Sequence, residues 1–290
     1  MHYWNEEWET LSPNQLKERQ QELLSAQLSC LPQRSPYYRE RLGELGVAPD
    51  HHWTLEEFAA RVPMIDKVAI LEDQKLSPPY GSLFAATPSD LVRVYTQPGP
   101  EFIPWTEADM AAMVDAWAYA LFTCGVRSDD VVDQTLQFNW VMGGTMYDDG
   151  ARRLGAAAVP GGAGMKQMHI DALQRLKVSV LIGFPTFLYD IARTAQEAGI
   201  DLTDGCAVRL LVMSGEMPSP SMRDELHDLF GAELREVYGT SEIGLVAATC
   251  GEGEGMHVNP GMLVEVVDPA TDQPVADGQP GEIVLTDLRG

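Results

Sequence analysis

The residues Val237-Tyr238-Gly239-Thr240-Ser241-Glu242-Ile243-Gly244 bring together groups that can close on a phosphate. An apolar strand end runs into small hydroxylated residues, then a lone acid, then glycine. Glycine lets backbone approach a ligand closely. Hydroxyls and peptide N–H groups donate to phosphoryl oxygens. The Glu242 carboxylate suits Mg2+, which usually takes one or two protein carboxylates together with nucleotide oxygens. A strand and turn in which Ser241 caps a helix has the same local pattern, so the segment needs support from elsewhere in the chain. A serine-hydrolase elbow is excluded, because Gly239–Gly244 does not fit G-x-S-x-G.

The chain that must position this segment has 290 residues, 45% of them hydrophobic, enough for a sizeable core. A formal charge of −23 argues against nucleic acid and anionic membrane as partners, since both need basic patches. The same acidity disfavours an anionic substrate unless a divalent cation reverses the local field. Cys30, Cys124, Cys206 and Cys250 are widely spaced and form no C-x-x-C pair. With no disulfide framework, a polar N-terminus and no run able to span a bilayer, a cytoplasmic protein is expected.

Apolar spacing predicts a helix from about Ser12 that Pro32 and Pro36 break, a short helix from Tyr37, and another capped by Thr54. Leu91–Thr96 and Phe102–Thr106 read as strands around the turn Gln97-Pro98-Gly99-Pro100, and Thr106 caps a helix running to about Cys124. From Asp130 strands and helices alternate. The strands are Val131–Phe138, Ala156–Pro160, Val178–Phe184, Val208–Met213 and Leu234–Tyr238. The helices are Gly143–Leu154, Met165–Leu176, Thr186–Ala198 and Ser219–Phe230. Repeated βα units with continuously apolar strands imply a doubly wound α/β sheet, with ligands at the carboxyl ends of the strands. Met262–Val267 and Gly281–Thr286 read as a small antiparallel element. The chain stops directly after that apolar strand, the position expected of a portion of something longer.

Several segments now line up: Arg152-Arg153-Leu154-Gly155-Ala156, Val159-Pro160-Gly161-Gly162, Ile182-Gly183-Phe184-Pro185-Thr186, Ser214-Gly215-Glu216-Met217-Pro218, Tyr238-Gly239-Thr240-Ser241-Glu242 and Gly281-Glu282-Ile283-Val284-Leu285-Thr286. In this order and spacing they resemble the large N-terminal domain of adenylate-forming acyl-CoA ligases, in the phenylacetate–CoA ligase branch. The resemblance implies layered αβαβα sheets, with a helical lead-in over residues 1–90 packed on an α/β domain over 91–290. It implies that ATP activates an aryl or other hydrophobic carboxylic acid to an acyl adenylate, which passes to coenzyme A.

By that resemblance Ser214, Gly215 and Glu216 line the adenine and ribose side, and Glu236, Val237, Tyr238 and Gly239 continue the wall. Thr240 and Ser241 donate to the α-phosphate, and Thr240 and Glu242 are the catalytic pair, Glu242 through Mg2+. Phe138, Trp140, Val141 and Gly143, with Phe184 and Pro185, form the acyl pocket; Phe138 and Trp140 read equally well as core. Cys250 and His257 match half of a zinc site found in part of the family, whose remaining ligands lie beyond residue 290 or come from another chain.

Two departures stand against these matches. Where the family carries a phosphate loop like Thr-Ser-Gly-Thr-Thr-Gly-Lys-Pro, this chain has Gln97-Pro98-Gly99-Pro100-Glu101, without hydroxyls or lysine and with an acid expected to repel polyphosphate. The small C-terminal domain with its catalytic lysine would lie beyond Gly290, so the chain calls for a separate C-terminal partner. The alternative reading is a non-catalytic homologue acting as a carboxylate- or nucleotide-binding module or an assembly subunit. Apolar surface near Leu285 and Leu288 is expected to favour a homodimer.

Overall fold

The computed structural model of the protein describes residues 3–48, 51–97 and 100–289. The chain opens with helices α1 (Glu6–Glu9), α2 (Pro13–Arg34), α3 (Pro36–Glu44), α4 (Leu55–Arg61) and α5 (Lys67–Leu76). A hairpin of β1 (Leu91–Gln97) and β2 (Glu101–Thr106) leads into α6 (Glu107–Thr123). Strands and helices then alternate through β3 (Val131–Gln134), α7 (Gly143–Leu154), β4 (Ala157–Val159), α8 (Lys166–Arg175) and β5 (Val180–Gly183). They continue through α9 (Pro185–Glu197), β6 (Leu210–Ser214), α10 (Pro220–Phe230) and β7 (Glu233–Thr240). Four further strands follow: β8 (Gly244–Ala248), β9 (His257–Val258), β10 (Met262–Val267) and β11 (Glu282–Asp287). The described residues form two compact units, one built on Met113–Asn259, the other on Asn5–Ala112 and the segment from Pro260 onward.

In the first unit a seven-stranded sheet runs β4-β3-β5-β6-β7-β8-β9. The five strands from β4 to β7 are parallel, and β8 and β9 turn back antiparallel. Leu181, Leu211 and Met213 face α8, α9 and α10 through Ile170, Leu173, Leu188, Ile191, Leu226 and Phe230. Successive strand residues point to opposite faces, so Leu210, Val212 and Ser214 face the other way. Both faces are buried, which is why these strands read as unbroken apolar runs. Losing one fully buried leucine of this core, Leu188 or Leu226, costs about 2–5 kcal/mol. The fold is α/β, as the repeated βα pattern implied.

In the second unit Leu24, Leu28, Leu42, Trp53, Leu55 and Leu288 form a buried cluster. Gln20 Nε2 donates to the Pro260 carbonyl at 3.0 Å and Gln27 Nε2 to that of Asp287 at 3.0 Å, fastening the β10–β11 pair to α2. Leu288 is therefore interior, and the apolar surface expected to drive dimerisation is covered in part by the chain's own N-terminal helices.

Three local expectations change. Pro32 lies inside α2, in its last turn, where few residues remain to lose an i−4 bond; Ser35 and Pro36 make the break. β3 stops at Gln134, four residues short of Phe138, and the rest is loop. Glu101 does not stand out as a free repelling charge: it is buried and ion-paired with Lys67 at 3.0 Å. The register pairs Gln97 with Glu101, so the hairpin is tight; Pro98 and Gly99 of the expected turn lie outside the described residues.

Candidate functional site

Neighbouring parallel strands deliver the sequence-selected residues to one edge of the sheet. Gly183 pairs with Met213, and Ser214 with Val237. Phe184-Pro185, Ser214-Gly215-Glu216 and Val237–Thr240 therefore emerge side by side at the carboxyl ends of β5, β6 and β7. Open α/β sheets bind ligands at this edge.

Gly215 has φ +77°, and a Cβ there would stand 2.2 Å from the Phe184 ring. Only glycine lets the backbone run over that ring, which remains 40% exposed. Glu216 reaches across to the first turn of α9. Its carboxylate accepts from Thr186 Oγ1 at 2.8 Å and from the Thr186 N–H at 3.4 Å. The cap residue of α9, Phe184, offers no side-chain acceptor. Glu216 supplies the negative charge that a helix N-terminus favours. Glu236 is likewise engaged: its carboxylate pairs with Arg223 of α10, and its N–H donates to Thr249 Oγ1 at 2.7 Å.

Val237 is buried, while the Tyr238 ring is 39% exposed at the strand end. The ladder shifts register between Tyr238 and Gly239. A Cβ at Gly239 would lie 2.7 Å from the Gly244 carbonyl oxygen and 3.3 Å from the Trp117 ring, so the two strands close tightly here. Ser241, Glu242 and Ile243 form the hairpin turn into β8. Ser241 is thus not a helix cap. Thr240 Oγ1 accepts from the Ile243 N–H at 3.2 Å, which fixes the oxygen and leaves the hydroxyl proton to donate outward. Glu242 is exposed in the turn. Among the described residues no cluster of three or more His, Cys, Asp or Glu gathers. A single carboxylate still fits Mg2+ that takes its other ligands from phosphate and water.

Phe138 and Trp140 sit on the loop between β3 and α7, one strand from Phe184. Phe138 is half-buried, and a Cβ on Gly162 would stand 3.3 Å from its ring. Trp140 is 75% exposed with φ +69°, so the core reading does not hold for it. A bulky residue in the left-handed region is strained, and such strain persists where the surroundings enforce it. Val141 is half-buried, Gly143 opens α7, and Pro185 is a buried first-turn proline of α9.

Cys250 Sγ and His257 Nε2 are 3.0 Å apart. They make two ligands where structural zinc takes four, and no third joins them among the described residues. These residues alone do not fit a structural zinc.

Sequence reading missed Tyr147 and His169. Burial raises the Tyr147 phenol above its usual pKa, and the Ser214 side chain at the end of β6 offsets part of that shift. It also missed β8, although Leu245–Ala248 is an apolar run bounded by turn residues.

A family model described as AMP-binding enzyme matches residues 100–287. The chain belongs to the AMP-binding enzyme family. Relatives of the chain include the phenylacetate–coenzyme A ligases of Thermus thermophilus, 27% identical, and Escherichia coli, 25% identical, each over 97% of this chain. The chain spans 64% of the length of each. A solved 2-hydroxyisobutyryl-CoA ligase in complex with 2-HIB-AMP and CoA covers the whole chain at 28% identity and a TM-score of 0.94, over 65% of its own length. A benzoate CoA ligase from Burkholderia xenovorans, 20% identical with a TM-score of 0.56 over 74% of this chain and 44% of its own, shares the fold.

Proposed function

We propose that this chain contributes the nucleotide- and acid-binding part of a carboxylate–CoA ligase. In this reading it activates a hydrophobic carboxylic acid with Mg·ATP to an acyl adenylate, releasing pyrophosphate, and the coenzyme A thiol then takes the acyl group and displaces AMP. The observation that carries the reading is the register pairing Ser214 with Val237, which sets Gly215 beside Tyr238-Gly239-Thr240. Backbone and ring from these strand ends would line the adenosine side, and Thr240 and Ser241 would donate to the α-phosphate. Glu242 would hold Mg2+, which neutralises charge developing on the phosphates. Phe138, Trp140 and Phe184 would face the acid. The named relatives act on phenylacetate and 2-hydroxyisobutyrate, which makes these two acids the first to try. The remaining parts of the reaction would come from the portion of such ligases that this chain does not span.

ATP–pyrophosphate exchange with both acids, with and without a C-terminal domain supplied in trans, tests the reading. Acid-dependent exchange is expected when that domain is present. Absence of exchange, together with no calorimetric binding of AMP, would refute it. The tight β1–β2 hairpin favours a second reading, in which the chain binds nucleotide or acid without turnover. AMP binding without exchange under any condition would select that one.

A further inference from the structure

His169 lies on α8 and is 2% exposed. Its Nδ1 stands 2.8 Å from Asp133 Oδ2 at the end of β3, and its Nε2 stands 2.9 Å from the Gly162 carbonyl oxygen. Asp133 is fully buried. A carbonyl only accepts, so Nε2 must carry a proton. Nδ1 faces the carboxylate, which accepts from it when the imidazole is protonated. The Phe187 ring of α9 meets the imidazole edge-on at 6.0 Å. The charged group facing His169 from β3 is Asp133, and the loop adds the carbonyls of Gly162 and Gly164. The Lys166–Asp190 ion pair that also links α8 to α9 is exposed at the surface.

The loop from Gly161 to Gly164 is moulded onto this pair. A Cβ on Gly161 would stand 2.5 Å from Asp133 Oδ1 and 2.5 Å from His169 Cε1. Gly162 has φ +75°, donates its N–H to the Gln134 carbonyl at 2.9 Å, and packs beneath the Phe138 ring. The chain of contacts is thus Asp133 to His169 to Gly162 to Phe138.

We infer that His169, held by Asp133, is a positioning residue that fixes the Gly161–Gly164 loop and through it the Phe138 wall against which the acyl group lies. The link to the acyl group rests on the function proposed above; the link to the loop does not. Burial alone would lower the His169 pKa, but the hydrogen bond and charge of Asp133, with the two carbonyls, outweigh it and raise the value above the ordinary 6.5. A raised histidine pKa means that the stabilisation is complete below the unfolded-state pKa and is lost as pH rises through the folded one. Above it Nδ1 presents a lone pair to a carboxylate, and the loop loosens.

The test uses the full chain in three forms: wild type, His169→Ala, and the double variant Asp133→Asn/His169→Gln. In the double variant the introduced glutamine amide can donate to Gly162 and accept from the introduced asparagine amide. Hydrogen exchange is followed at residues 161–164. Binding of AMP and of phenylacetyl sulfamoyl adenosine, a stable acyl-adenylate mimic, is followed by calorimetry. His169→Ala should raise exchange in the loop and weaken the mimic about tenfold, with AMP affinity unchanged within about twofold. The double variant should restore both and remove the loss of loop protection, with exchange taken relative to the intrinsic amide rate, that wild type shows between pH 6 and 9. Equal losses for AMP and mimic, or failure of the double variant to restore the loop, would overturn the positioning role. If wild type binds neither AMP nor mimic, the functional reading fails; the exchange arm then decides on its own, and a loop as protected in His169→Ala as in wild type overturns the inference.

Discussion

Two glutamates that look alike in sequence sit in different surroundings. Glu216 bonds Thr186 and completes the N-terminus of α9, whereas Glu242 lies exposed in the β7–β8 turn. Glu216→Ala should therefore lower stability by about 1 kcal/mol, the cost of losing a helix cap. Glu242→Ala, at an exposed turn position, should weaken Mg2+-dependent nucleotide binding. Urea denaturation of Glu216→Ala, and AMP titrations of Glu242→Ala with and without Mg2+, check the two roles; unchanged Mg2+ dependence in Glu242→Ala would remove the second. Gly239 makes a stricter claim. A methyl there meets the Gly244 carbonyl at 2.7 Å, so Gly239→Ala should cost about 1–3 kcal/mol by overpacking. Among the thiols, Cys124 is buried and its pKa is pushed up to about 12 by that burial. It should stay unlabelled by iodoacetamide in native protein at pH 8 while half-buried Cys250 reacts; peptide mass spectrometry reads this directly.

At the scale of elements, one carboxylate ties the amino ends of three. Asp130 accepts from Ser179 Oγ at 2.7 Å, from the Arg127 N–H at 2.7 Å and from Arg209 Nε at 3.1 Å, joining the approaches to β3, β5 and β6. Burial pushes its pKa up, but the Arg209, Ser179 and Arg127 hydrogen bonds outweigh burial and hold it below the usual carboxylate value. A depressed pKa gives stabilisation that is present above the unfolded-state pKa and lost as pH falls through the folded one. Asp130→Asn should therefore cost about 2 kcal/mol at neutral pH, since hydrogen bonds to charged groups are worth roughly 1.5–3 kcal/mol. It should also flatten the acid limb of a stability–pH curve below about pH 4. An unchanged acid limb would show that Asp130 does not carry it. The elements themselves were largely legible: Gly143–Leu154 falls on the helix read from sequence, and other βα boundaries lie within a few residues. The strand ends were legible too, because Ser214-Gly215 and Tyr238-Gly239 break apolar runs with small residues. What the residues hid was long-range. Nothing local shows that Glu216 caps a helix begun thirty positions earlier, that Lys67 neutralises Glu101, or that His169 reaches Asp133 across thirty-six positions. Each is a pairing that only packing creates.

For the whole molecule the governing quantity is charge. The formal balance is −23, and the ion pairs that could offset it, such as Arg19–Glu22, Arg41–Glu44 and Lys166–Asp190, sit at the surface. Exposed pairs contribute about 0–1 kcal/mol each and weaken with salt. Self-repulsion among excess carboxylates also weakens with salt, but in the stabilising direction. Repulsion should win, because 43 acidic residues face 20 basic ones and most acids have no cation to pair with. The screening length falls from about 30 Å at 0.01 M to about 3 Å at 1 M ionic strength, so the span covers both near and distant pairs. The Tm should accordingly rise by a few degrees as NaCl is raised across that range at pH 7.5, with most of the gain complete by about 0.1 M, where the screening length is near 10 Å. Sodium chloride is the salt to use, because sulfate would strengthen apolar burial as well. A Tm that falls with NaCl would mean that attractive pairs outweigh the net repulsion and that the acidic surface is arranged rather than merely abundant.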